Sequence, residues 1–254
     1  RVAAEGLVGV AVSDSSAALV EVNSETDFVA RNETFQELVQ SIAELSLSNS
    51  GDYEGTLAAD FPGESRTVDE QVQQMVATIG ENIQFRRSAG LSVASGVVSS
   101  YIHNAVVPNL GKIGVLVALE STGDVEKLSA LGKQIAMHVA AANPLALSVD
   151  ALDPAVVERE RAVLAEQARE SGKSEEIIAK MTEGRLRKFY EESVLNEQLF
   201  VIDGETKIAK VIEQAADDVG AEVKLTGFVR FALGEGIERE EEDFAAEVAA
   251  QVAG

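Results

Sequence analysis

Two stretches of this chain repeat one order of elements, strand then loop then helix, and that order restricts the fold more than any other feature. Leu7-Val-Gly-Val-Ala-Val12 and Ala17-Ala-Leu-Val-Glu-Val22 are apolar, β-branched runs separated by Ser13-Asp-Ser-Ser16, which predicts a hairpin. Asn32 can cap a helix carrying Phe35, Leu38, Val39, Ile42 and Leu45, the spacing of one buried helix face. Later, Ile113-Gly-Val-Leu-Val-Ala-Leu119 is strand-like, and Leu128, Leu131, Ile135, Ala136, Val139 and Ala140 mark a helix ending before Asn143-Pro144. Val22 and Ile42 are 20 positions apart, whereas Leu119 and Ile135 are 16 apart. The first copy is therefore longer, and its extra residues fall around Thr26-Asp27-Phe28-Val29. The expected fold class is α+β: two related subdomains of antiparallel sheet with packed helices.

The remaining elements fill in this plan. Asn49 to Gly63 is loop-rich, and Thr67-Val-Asp-Glu70 is a capping box before Val68, Val72, Met75, Val76 and Ile79. Ile83-Gln-Phe85 begins a strand that leads into Arg86 and Arg87, and Val97 to Ile102 is another. Asp153-Pro154 starts a helix that stops near Gly172, and Ser174 starts a second with Ile177, Ile178, Met181, Leu186 and Phe189. Leu199 to Ile202 is a short apolar strand or turn, and Thr206 is expected to cap a helix through Ile208, Val211, Ile212, Ala215 and Val219. Thin apolar stripes and short links predict an antiparallel helical, coiled-coil hairpin inserted into the fold. Glu222 to Phe231 returns as a strand, and Phe244 to Val252 forms a C-terminal amphipathic helix. The corresponding division is residues 1–87 for the first subdomain, 88–165 with 221–237 for the second, 166–220 for the hairpin and 238–254 for the C-terminal module.

The chain carries 43 acidic against 21 basic residues, a net charge of −22. Such a surface repels phosphate backbones and disfavours broad nucleic-acid contact, but it steers basic protein partners inward. With no cysteine there is no disulfide, thiol nucleophile or Cys-based zinc site. No apolar run reaches membrane-spanning length, and Glu5 and Gly6 interrupt any signal-peptide core at the start. Gly172-Lys173-Ser174 has Gln167 where a phosphate-binding loop needs its first glycine, and it lies between helices. The two histidines, His103 and His138, have no metal-site spacing, and no serine sits in a GxSxG elbow. No catalytic residue, metal or cofactor is expected.

What remains is a surface for another macromolecule. Thr26-Asp27-Phe28-Val29 is a polar loop with a large aromatic beside a carboxylate, and loops between regular elements are where partners are touched. Asp27 has two roles open to it, a helix cap through Ser24-x-x-Asp27 or a partner contact. His138 belongs either to the edge of the core or to a partner contact. Arg86 and Arg87 are expected to pair with nearby carboxylates, and Glu238 to Asp243 to be a solvated helix start. Besides a loop-led binder, a helical-hairpin scaffold and a nucleotide-binding enzyme are the other function classes; the missing glycine-rich loop counts against the last.

Glu21-Val-Asn-Ser-Glu-Thr-Asp-Phe-Val-Ala-Arg-Asn-Glu-Thr-Phe35 closely resembles the signature of the translation elongation factor Ts family. Ile79-Gly-Glu-Asn-Ile-Gln-Phe-Arg-Arg87, Lys112-Ile-Gly-Val-Leu-Val117 and Ile135-Ala-Met-His-Val-Ala-Ala141 are similar to its further signatures. Lys180-Met-Thr-Glu-Gly-Arg-Leu-Arg-Lys-Phe189 resembles its coiled-coil segment. Thr226-Gly-Phe-Val-Arg-Phe231, Gly234-Glu-Gly-Ile237 and Asp243-Phe-Ala-Ala-Glu-Val248 resemble its C-terminal part. The resemblance implies a guanine-nucleotide exchange factor, not an enzyme, acting on Mg-GDP bound to elongation factor Tu. It implies that Asp27 and Phe28 enter the partner near its nucleotide site, with Thr26 and Val29 beside them. It places His138 against another partner domain and Phe244 against the GTPase domain. The hairpin would serve as a spacer or join two such units in a homodimer or two-plus-two complex. The family opens with a small ubiquitin-associated-like module, and this sequence starts beyond it. The implied compartment is the bacterial cytoplasm, or the organelle matrix or stroma of a eukaryote.

Overall fold

The computed structural model describes residues 2–238. The opening hairpin is Glu5–Val12 (β1) and Ser16–Ser24 (β2), paired antiparallel from Glu5–Ser24 to Val12–Ala17. A helix, Glu33–Ser48 (α1), follows, capped by the Asn32 side chain, which accepts from the Phe35 amide at 3.0 Å. A short helix, Tyr53–Ala58 (α2), and the helix Val68–Ile79 (α3) lead to the strand Gln84–Ser92 (β3). The second half starts with Gly96–His103 (β4), a two-residue strand Leu110–Gly111 (β5) and Ile113–Glu120 (β6). Its main helix is Val125–Ala142 (α4), capped by Asp124. Two antiparallel arms, Pro154–Arg169 (α5) and Glu175–Ser193 (α6), come next. Ile208–Val219 (α7) and Lys224–Ala232 (β7) complete the described chain.

The strands make two antiparallel sheets, ordered β3-β2-β1-β5 and β4-β6-β7. The inner strands β1, β2 and β6 are buried on both faces, which is why they read as nearly continuous apolar runs. In the first sheet Leu7, Val20 and Val22 meet α1 and α3 through Phe35, Leu38, Ile42, Val72 and Met75. Val8, Val10, Ala17 and Leu19 point the other way, onto Val98, Leu116, Ala118 and Phe231 of the second sheet. Val115, Val117 and Leu119 face α4 and α7 through Leu128, Ile135, Val139, Ile208 and Ile212. The order of layers is helix, sheet, sheet, helix.

The expected repeat is present and more regular than the sequence suggests. In both halves the middle strand, β2 or β6, shifts register against the outer strand at one place, Glu21/Val22 and Ala118/Leu119. Gly6 and Gly96 are matched: each has positive φ, and a Cβ there would strike the carbonyl oxygen of Val22 or of Leu119. α3 and α7 each span 12 residues, each closed by a left-handed glycine, Gly80 or Gly220. Each is followed by a 9-residue strand. The connection from middle strand to helix occupies residues 25–32 in the first half and only 121–124 in the second.

Several expectations change. The stretch 49–63 contains α2, whose single turn and a half is too short to show a stripe; Asp52 caps it. β3 continues to Ser92, so the first sheet runs past residue 87. The hairpin consists of α5 and α6, beginning at Pro154, whereas α7 packs into the second core with Ile135 and Val139. Lys207, not Thr206, is the N-cap of α7 and makes no side-chain bond there. Asp203 takes over locally: its carboxylate accepts the Glu205 and Thr206 amides at 2.9 and 3.0 Å. Ser174 stands at the N-cap of α6 without a side-chain bond. Leu199 to Ile202 is a turn, tied by a bridge between Leu199 and Lys207. The C-terminal amphipathic helix expected from Phe244 lies outside the described residues.

Candidate functional site

β2 carries the chain to Ser24, and an eight-residue connection then forms before α1. The Ser24 hydroxyl donates to the Thr26 carbonyl at 2.9 Å, turning the backbone out of the sheet. Phe28 is helical in φ and ψ (−62° and −36°) and leads a 3-10 turn over Val29–Arg31. Val29 and Ala30 are buried in the first core. The turn is therefore anchored from below, and Val29 supports the loop instead of forming its surface.

A second segment anchors the loop from the side. The Thr26 amide donates to Glu81 Oε2 at 3.0 Å and the Thr26 hydroxyl to Glu81 Oε1 at 2.7 Å. In return the Asn82 amide donates to Glu25 Oε1 at 2.8 Å. Two of the quoted motifs, Glu21 to Phe35 and Ile79 to Arg87, thus meet in space and lock each other. Gly80, left-handed at φ 82°, ends α3 and turns Glu81 toward the loop.

The tip is left over. Phe28 is 74% exposed, the most exposed large apolar side chain among the described residues. Asp27 is exposed beside it and caps nothing: the 3-10 turn has no side-chain cap, and α1 is capped by Asn32. The capping role open to Asp27 in the sequence is not the one it takes. A rigid loop presenting an unpacked ring and a carboxylate is a preformed contact for a partner cleft. Among the described residues no group of three His, Cys, Asp or Glu side chains could hold a metal ion. No described helix is long and apolar enough to cross a membrane.

The elongation factor Ts family model matches residues 25–235, which includes the loop, the second sheet and the hairpin. The chain belongs to the elongation factor Ts family. A protein named elongation factor Ts from Rhodospirillum centenum is 64% identical over 249 residues, covering 98% of this chain and 81% of that protein. The protein of that name from Rhodospirillum rubrum is 62% identical, covering 99% and 82%. That from Parvibaculum lavamentivorans is 58% identical, covering 100% and 82%. Family membership implies a translation factor that promotes nucleotide exchange on elongation factor Tu.

His138 does not reach the surface. It is 0% exposed on α4, with Nε2 at 2.9 Å from Gln198 Oε1 and Nδ1 accepting the Val201 amide at 3.1 Å. Accepting at Nδ1 places the proton on Nε2, so the ring is neutral and fully bonded. Burial lowers its pKa below the ordinary imidazole value, and the Gln198 bond opposes that only in part. What His138 braces is the turn that exposes Leu199, Val201 and Ile202. Phe244, the last expected site residue, lies outside the described residues.

Sequence reasoning missed Glu21 and Glu81. Glu21 is 0% exposed on β2, paired with both Arg86 and Arg87. A charged residue in an otherwise apolar strand was its only signal. Glu81 carried none beyond its place after a helix-ending glycine.

Proposed function

We propose that this chain binds elongation factor Tu and accelerates GDP release through the loop at Thr26-Asp27-Phe28-Val29. The observation that carries this is the 74% exposure of Phe28 on a loop held by Glu81 and by the buried Val29. The ring inserts between helices of the partner's GTPase domain, and the displacement disturbs the groups that hold Mg²⁺ and the phosphates. Asp27 makes polar contacts at the mouth of that cleft. The chain makes and breaks no covalent bond, so it is an exchange factor and not an enzyme, and it carries no cofactor of its own. Its place of action is the bacterial cytoplasm.

The energetics favour a distributed interface. Exchange factor and GDP must weaken each other's binding by the same factor. Driving the partner from 99% nucleotide-bound to 99% released takes roughly 5.5 kcal/mol of differential binding. One aromatic contact contributes about 2–4 kcal/mol. The remainder comes from the turn at Leu199 to Ile202, organised by His138, and from the C-terminal module with Phe244. The α5–α6 hairpin, with exposed Val163 and Ile177, suits a spacer or a contact between two such units. Release of a fluorescent GDP from purified elongation factor Tu should accelerate when the chain is added. GDP alone should not bind the chain. An unchanged release rate sinks the proposal.

A further inference from the structure

The same two elements meet in both halves, the connection from middle strand to helix and the closing turn of the second helix, but they meet by different means. In the second half the contact is direct. The Asp124 amide donates to the Val219 carbonyl at 3.0 Å, and a Cβ on Gly123 would lie 2.3 Å from Val219 Cγ1. In the first half the longer connection is joined to the corresponding turn by two carboxylates. Both oxygens of Glu81 hold Thr26, one through its amide and one through its hydroxyl, and Glu25 returns a bond to the Asn82 amide.

The turn itself does not require Glu81. Gly80 and Gly220 are both left-handed and each stands four residues before the first residue of the returning strand. Ile83 and Val223, at the same place in the two turns, are both buried. Between these matched positions the second half has Ala221 where the first has Glu81, and its turn closes without a carboxylate there. What the first half has in addition is the tip. Thr26 directly precedes Asp27, and Val29, buried in the first core, directly follows Phe28. The exposed pair is therefore fixed on both sides, by a two-armed polar anchor and by an apolar one. The Thr26 hydroxyl faces Glu81 and is engaged within the molecule. Glu21, earlier on β2, is a different case: its partners Arg86, Arg87 and the Gly234 amide, the last at 2.8 Å, all lie outside the loop.

We propose that Glu81 is a positioning residue for exchange: by gripping Thr26 it presents Asp27 and Phe28 to the partner in one conformation. A loop without the grip samples other conformations, and only the fraction with the ring correctly aimed is competent to insert. The role is geometric, since what Thr26 needs is two hydrogen-bond partners in fixed places. It rests on the exchange reading given above.

The test measures fluorescent GDP release from elongation factor Tu over a range of concentrations of the full chain and its variants, with the melting temperature of each. Glu81→Ala should lower the saturating rate by roughly five- to thirtyfold and leave the half-saturating concentration within about twofold, because the rest of the interface is intact. Glu81→Gln should restore the rate to within about threefold of the natural chain, since its carboxamide oxygen still accepts from the Thr26 amide and its NH2 donates to the Thr26 hydroxyl oxygen. A merely structural role would lower the melting temperature without that split or that rescue. Thr26→Val, which removes the hydroxyl arm alone, should slow release by roughly two- to tenfold, and adding it to Glu81→Ala should cause little further loss. If Glu81→Ala fails to fold, Thr26→Val carries the test with that same shift. Phe28→Ala serves as the control. If it slows release while Glu81→Ala and Thr26→Val leave the saturating rate unaltered, the positioning role is overturned and the exchange reading stands. Glu81→Gln as slow as Glu81→Ala also overturns the positioning role, because the charge and not the grip on Thr26 would then matter. If Phe28→Ala changes nothing, the exchange reading fails first.

Discussion

The two halves share a plan and differ where a partner would be met. Each has a hairpin, a long helix, a second helix closed by a left-handed glycine and a returning strand. Against that background the differences are few. The connection at 25–32 is short, at 121–124, in the second half. Glu21 stands where the second half has Ala118, and Glu81, the residue after Gly80, stands where it has Ala221. The second half instead inserts the α5–α6 hairpin between α4 and α7, where the first has only α2. Shared positions are therefore those the fold requires. The unshared ones in the first half build, anchor and aim a single loop.

The comparison can first be pressed where the halves are alike. Ile42 and Ile135 are both fully buried on the long helices. Ile42→Ala and Ile135→Ala should each cost about 2–5 kcal/mol in urea unfolding. A cost confined to one of them would break the equivalence. The next test is where they differ. Glu81→Ala installs the residue of the second half and removes both bonds to Thr26. It should slow GDP release by roughly five- to thirtyfold, matching about 1–2 kcal/mol for a loosened loop, while the unfolding midpoint barely moves. Ala221→Glu should leave release unaltered.

The smallest effect sharpens the second half alone. His138 is buried and neutral, with its pKa below the ordinary value because of burial. Between that lowered pKa and the unfolded value the unfolded chain binds the proton and the native chain does not. Stability is therefore fully present above the unfolded value and is lost as pH falls through the window beneath it. The slope is at most about 1.4 kcal/mol per pH unit for one proton. His138→Gln should remove this component from thermal melts recorded just below pH 6.5, and an unaltered profile would contradict the assignment.

Much of this was legible in the sequence, for definite reasons. Phe35, Leu38 and Ile42 mark their helix because one face of α1 is buried, and the longer first connection appears directly as spacing. Phe28 was legible because an aromatic is out of place on a polar loop. Glu81 was not, since its partner Thr26 lies 55 residues away and no local pattern records the meeting. Glu21 was hidden for a similar reason, as Gly234 lies 213 residues along the chain. His138 was ambiguous because α4 is buried on much of its surface, and only the tertiary bonds to Gln198 and Val201 place it inside. α2 was lost because six residues cannot display a helical period.

The central claim is that the first half's extra loop acts through one exposed ring. Stopped-flow release of fluorescent GDP from elongation factor Tu, at saturating concentrations of the natural chain and of Phe28→Ala, tests it most directly. Removing an aromatic anchor worth about 2 kcal/mol or more should slow release by roughly thirtyfold or more, with complex formation weakened by less. Equal release rates for the two chains would contradict the account.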